Sequence, residues 1–171
     1  MSSSNDHNYP ENNYLPVILG FLNFSILLPL SISLMSPTTE LWDFIFVAIG
    51  IYLTVIFTRN LSKANEYPLT RVDPKQRDSF PKEGIYARIR HPVAAGMIYM
   101  NIAYVFFFRT LILIPIIPVF AAMWYLYANY EESVMLDLFG DEYREYMQVT
   151  SMFRSARPDQ QHLASSGYDM Y

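Results

Sequence analysis

The chain has 171 residues, is 52% hydrophobic and carries 12 Lys and Arg against 16 Asp and Glu, a formal charge of −4. Its apolar residues fall in a few long blocks, the pattern of a one-domain, all-α integral membrane protein, with no nucleic-acid partner expected. Cysteine is absent, and His7, His91 and His162 lie far apart, so a disulfide framework, a thiolate nucleophile and a metal site are all excluded from expectation.

Residues 1–14 are polar and contain no Lys or Arg, unlike the basic start of a signal peptide, and read as a cytosolic tail. Leu15 to Met35 gives twenty-one uncharged residues, long enough to cross about 30 Å of hydrocarbon at about 1.5 Å per residue. Ser36 to Glu40 forms a turn, and Leu41 to Thr58 is the second span, with Trp42 as an interfacial anchor. Leu61 to Ser79 is polar, broken by Pro68 and Pro74, and reads as a surface loop or a lid. The third span runs from Pro92 to Phe108. Arg109-Thr110 connects it to the fourth, Leu111 to Tyr130, which Pro115 and Pro118 are expected to kink. An interfacial helix then carries Val134, Met135, Leu138 and Phe139 until Gly140 stops it, and Asp141 caps a further turn bearing Tyr143 and Tyr146. Residues 155–171 have no apolar period and read as a disordered tail. Eleven of the twelve basic residues fall between the second and third spans or after the fourth, and only Arg109 lies opposite. Cytosolic loops collect Lys and Arg, so about four spans with both ends in the cytosol are expected.

Spans three and four form an out-and-back pair, which brings Arg90-His91-Pro92 and Glu131-Glu132 to one membrane face. Pro92 suits a helix start because its missing N–H would be unpaired there anyway. The backbone of Val93, Ala94, Ala95 and Gly96 then offers free donors and small side chains, an arrangement that attracts anions. An anion site, an acidic pair and aromatic walls between water and lipid suit a zwitterionic cofactor and an oily acceptor, and S-adenosylmethionine meets that description. Its sulfonium needs no acid or base; the protein must align the partners and exclude water.

Glu83-Gly84-x-Tyr86-x-x-x-Arg90-His91-Pro92-x-x-x-Gly96, followed by Glu131-Glu132 and Phe139-Gly140-x-x-Tyr143-x-x-Tyr146, resembles the isoprenylcysteine carboxyl methyltransferases and related phospholipid methyltransferases over Phe80 to Phe153. The resemblance implies S-adenosylmethionine bound at the cytosolic end of the last two helices. His91 and the backbone after Pro92 would contact the methionyl part, Glu131 and Glu132 would hold polar groups or shape the acceptor site, and Gly84 and Tyr86 would form the adjoining wall. The candidate catalytic residues are thus Glu131, Glu132 and Arg90, and the candidate cofactor contacts Tyr86, His91, Pro92, Val93, Ala94, Gly96 and Glu131. Three positions depart from the family: Ala94 stands for a usual Tyr, Met135 for a common Leu, and Ser155 where a Pro is expected. The implied acceptor is a prenylcysteine-type carboxylate or other lipid-like molecule, reached in the cell membrane of a microbe or the endoplasmic reticulum of a eukaryote.

The alternatives are phospholipid amine methylation, an NADPH-dependent sterol-reductase-like activity, against which Val93-Ala94 and the missing Lys-Tyr-Gly-x-x-Trp argue, and a non-catalytic membrane scaffold. Taken singly, His91 is a helix cap, Arg88 and Arg90 are headgroup anchors, and Glu131 and Glu132 are a solvated face. Tyr143 and Tyr146 read as roof packing, Asn101 as an interhelical hydrogen bond and Gly96 as a close-packing position.

Overall fold

The structure, a computed structural model, describes residues 13–37 and 40–154. A backbone in hydrocarbon must pair its own polar groups, which a helix does within one segment. Accordingly the described residues form four α-helices, α1 (Leu15–Ser33), α2 (Leu41–Asn65), α3 (Pro92–Phe108) and α4 (Ile117–Val149), with short 3-10 turns at Pro68–Arg71, Pro74–Gln76 and Leu111–Ile116. Among them there is no strand, only an isolated parallel bridge between Ile89 and Ser151. α1, α2 and the stretch from Leu111 to Val149 are each long and apolar enough to cross a bilayer, and the protein is an all-α membrane protein. α3, at 17 residues, rises about 25 Å, the short end of the spanning range.

α3 is the central element, apolar on every side because it packs against α1, α2 and α4. α2 runs along it most closely: a Cβ on Gly50 would lie 2.8 Å from the Phe107 backbone nitrogen, and one on Gly96 would lie 3.3 Å from Phe57 Cδ2. α1 leans on α3 and α4. There the buried Asn23 amide donates to Asn101 Oδ1 at 2.7 Å and accepts from Trp124 Nε1 at 3.3 Å, so the interhelical bond expected of Asn101 ties three helices together. The backbones of α1 and α2 stay apart, bridged by the rings of Phe24 and Phe57 at 6.0 Å between centroids.

Three expectations need correction. The loop from Leu61 begins only at Glu66, because α2 continues to Asn65; its last turns bury Asn60 and Ala64 in the bundle. The stretch assigned to the fourth span opens as the 3-10 turn Leu111–Ile116, with Pro115 inside it, and α4 proper starts at Ile117 with Pro118 in its first turn. Gly140 does not stop the helix: with φ +54° and ψ −121° it kinks α4, which resumes to Val149. Asp141 pairs with Arg144 one turn on. The N-terminal residues before Asn13, the turn residues 38–39 and the tail from Ser155 lie outside the described residues.

Candidate functional site

Pro92 opens α3 without any side-chain cap, and the first bond of the helical ladder is Ala95 N–H to His91 O at 2.9 Å. The amides of Val93 and Ala94 therefore precede that ladder, as helix-start donors do. Opposite them, α4 delivers Glu131 and Glu132 one residue after the apolar run that ends at Tyr130. The two motifs meet through His91. Its Nδ1 lies 3.3 Å from Glu131 Oε2 and its Nε2 lies 3.2 Å from Glu132 Oε1.

Two arginines complete the network. Arg90 Nε donates to Glu132 Oε1 at 2.7 Å, and its Nη1 donates to Met147 O at 3.1 Å and to Thr150 O. Arg77 Nη1 meets Glu131 Oε1 at 2.6 Å, while its Nε and Nη2 donate to Val72 O at 3.1 Å and Thr70 O at 3.2 Å. Arg77, His91 and Glu132 are buried. The network is charge-balanced by Arg77 and Arg90 against the two glutamates, and a protonated His91 adds one positive charge.

Both imidazole nitrogens face carboxylate oxygens, which satisfies the ring fully only when it carries two N–H groups. Burial opposes the charge on His91, but hydrogen bonds to Glu131 and Glu132 and their negative charges outweigh it and raise its pKa above 6.5. For Glu131, burial pushes the pKa up, yet the bond and charge of His91 and those of Arg77 prevail and hold it at about 2. Glu132 is lowered in the same way, against burial, by His91 and Arg90.

A cavity of about 710 Å³ lies against this network. Arg77, Arg90, His91 and Glu131 form its polar end; Val17, Phe21 and Phe24 of α1, Phe57 of α2 and Met97, Trp124 and Tyr127 extend it as an apolar wall. Val17 and Phe21 are themselves largely exposed on the outside of the bundle, so the apolar end adjoins the lipid-facing side between α1 and α2. A roof crosses the polar end: Phe80 packs on Tyr143 at 4.9 Å and Tyr146 at 5.2 Å between centroids, and Tyr146 Oη donates to Tyr86 O at 2.7 Å. Burial raises the Tyr86, Tyr143 and Tyr146 phenols, which stay neutral.

Of the candidate residues, Tyr86, Arg90, His91, Pro92, Val93, Ala94 and Glu131 line the cavity. Glu132 does not; it sits behind His91 and Arg90. Gly96, counted among the cofactor contacts, is turned toward Phe57 and Asn60 of α2, where its lack of a side chain permits the close helix approach. Sequence reasoning missed four contributors. Arg77 lay in a segment read as surface loop, and nothing local marks it. Asn13 closes the rim, donating from its backbone N–H to Arg71 O at 2.7 Å and from its side chain to Tyr127 Oη at 2.8 Å. Ser151 and Met152 return alongside the Arg-His motif, accepting from Arg90 N–H at 2.9 Å and His91 N–H at 3.1 Å. No family model, curated protein or solved structure matches the chain.

Proposed function

We propose that the protein is an S-adenosylmethionine-dependent membrane methyltransferase acting on a lipid-like acceptor, with a prenylcysteine-type carboxylate as the first candidate and its site facing the cytosol. The observation that carries the reading is the single ion network, built from both halves of the family-like motif, at the polar end of a cavity whose other end is apolar and lipid-facing.

The residues fit such a cofactor. The helix-start amides of Val93 and Ala94 with His91 would hold a carboxylate, Glu131 would hold an ammonium or ribose hydroxyls, and Tyr86, Trp124 and Tyr127 offer faces for a purine. When bound, S-adenosylmethionine supplies a methyl group already activated by its sulfonium. This chain then has three tasks: to hold the polar groups rigidly, to seat the acceptor chain along α1 and α2, and to keep water out. Rigidity comes from the paired charges of Arg77, Arg90, His91, Glu131 and Glu132, which leave little rotamer freedom. The aromatic roof of Phe80, Tyr143 and Tyr146 supplies the dry cover. Arg90, with its Nε and Nη1 bonded to Glu132 and the C-terminal return, acts by positioning His91 and Glu132.

The test is a titration of detergent-purified protein with S-adenosylmethionine, followed by transfer of its labelled methyl group to total lipid extract and to a prenylcysteine analogue. Binding that weakens at least tenfold in Glu131→Ala and His91→Ala, with a labelled ester as product, is expected. A wild-type protein that binds no cofactor ends the reading, and a labelled amine would move the acceptor to the phospholipid class.

A further inference from the structure

Three arginines line the cavity, Arg71, Arg77 and Arg90. Two are spent inside the protein: Arg77 on Glu131 and the carbonyls of Thr70 and Val72, Arg90 on Glu132 and the carbonyls of Met147 and Thr150. Arg71 differs. It is exposed, and its guanidinium has no ion-pair or hydrogen-bond partner among the described residues. Its backbone is nonetheless fixed. Arg71 ends a 3-10 turn, its carbonyl accepts from Asn13 N–H at 2.7 Å, and the carbonyls before and after it hold Arg77.

A rigid stretch of chain therefore places Arg71, a cation with no partner among the described residues, at the cavity wall. With Arg77 and Arg90 cancelled by Glu131 and Glu132, Arg71 leaves one positive charge in excess, and a protonated His91 leaves two. A neutral amphiphile would leave that charge unanswered, whereas an anionic headgroup beside Arg71, with its hydrocarbon chain along Val17, Phe21 and Phe57, answers both ends of the cavity. We propose that Arg71 is the specificity residue that selects an anionic amphiphile, a carboxylate or phosphate on a single long chain. That this amphiphile is the methyl acceptor rests on the function proposed above; the preference for an anion rests on the charge of the wall alone.

The experiment uses Trp124, on the cavity wall, as the reporter, in a Trp42→Phe background so that its fluorescence is read alone. The full chain in neutral detergent is titrated with laurate, dodecyl phosphate and dodecanol at about pH 8, where both acids are ionised. The two anions should bind about tenfold more tightly than the alcohol, the worth of one well-placed charge pair. Arg71→Gln should remove most of that preference, and Arg71→Lys, which keeps the charge, should retain most of it and shows that the turn tolerates substitution. The laurate and dodecyl phosphate arms separate the carboxylate from the phosphate class. A wild-type protein without anion preference, or an Arg71→Gln variant that keeps it, overturns the proposal. Anion preference without S-adenosylmethionine binding sinks the methyltransferase reading and leaves this one standing; cofactor binding without anion preference does the reverse.

Discussion

Arg77 and Glu131 form a buried ion pair at the site, Nη1 to Oε1 at 2.6 Å, with their side chains only 4% and 12% exposed. The pair joins the segment after α2 to the exit of α4, and no other contact holds Glu131 Oε1 in place as directly. Deleting one partner of a buried pair strands the other charge, so Arg77→Met should destabilise the protein by about 3 kcal/mol, read as thermal unfolding in detergent. Arg77→Met combined with Glu131→Gln should recover much of that loss, since no lone charge remains. Arg77→Lys should fall between, keeping the charge while losing the donors to Thr70 and Val72. An Arg77→Met protein as stable as wild type would show that the pair contributes nothing.

The network makes stability depend on pH in a direction that can be worked out. His91 has its folded pKa raised above 6.5, so its contribution is complete below pH 6.5 and is lost as pH rises through the raised value. Glu131 is held at about 2 against an ordinary 4.5, so its contribution is complete above pH 4.5 and is lost as pH falls toward 2. Glu132 follows Glu131 in direction. The two arginines stay charged throughout. The stability difference between wild type and His91→Gln should therefore be greatest between pH 4.5 and 6.5 and shrink on both sides. A difference that grows as pH rises past 8 would mean that His91 is neutral in the folded protein.

The helices were legible from long uncharged runs, and the convergence of His91 with Glu131 followed from helix lengths alone, because an out-and-back pair returns to the face it left. The last turns of α2 were not legible. Asn60 and Ala64 sit beside Arg59 and Lys63 and look like part of a polar loop, and packing in the bundle keeps them helical. Gly140 carries the residue type of a helix stop, but the positive φ it allows serves a kink, after which Tyr143 and Tyr146 are drawn onto Phe80. Arg77 was hidden for another reason: a long-range ion pair leaves no periodicity in sequence. The same holds for the return of Ser151 and Met152 to the Arg-His motif, which is made by backbone groups common to every residue.

Gly84 adopts φ +59°, and a Cβ there would run into the hydroxyl of Tyr67, so two separate penalties fall on one position. Gly140 has φ +54° but open space around it, so only the backbone penalty applies. Gly140→Ala should cost about 1–3 kcal/mol, since its φ and ψ fall outside even the left-handed helical region, and Gly84→Ala adds a clash to its own backbone penalty. Tyr67→Phe removes the obstructing oxygen but leaves the ring close, so in that background Gly84→Ala should cost clearly less than in the wild type. The comparison is a double-mutant cycle on thermal unfolding. A Gly84→Ala cost that Tyr67→Phe leaves unchanged would show that Tyr67 yields freely.

The C-terminal return offers a test of whether the site depends on groups that never touch its cavity. Thr150 accepts from Arg90 Nη1, Ser151 O from Arg90 N–H and Met152 O from His91 N–H, yet none of these three residues lines the cavity. A chain ending at Val149 keeps α4 whole but strips Arg90 of those anchors and leaves the backbone N–H groups of half-buried Arg90 and buried His91 without partners. Each stranded donor costs about 1–3 kcal/mol, and that cost falls on the segment that sets the rotamers of Arg90 and His91. Under the proposed function, the truncated protein should lose S-adenosylmethionine affinity at least tenfold while α-helical content by circular dichroism stays close to wild type. Ending the chain after Arg154 instead keeps every one of these bonds and should leave affinity unchanged. If both truncations bind alike, the return adds nothing to the site, and the rigidity of Arg90 and His91 has to come from Glu131, Glu132 and the Met147 carbonyl.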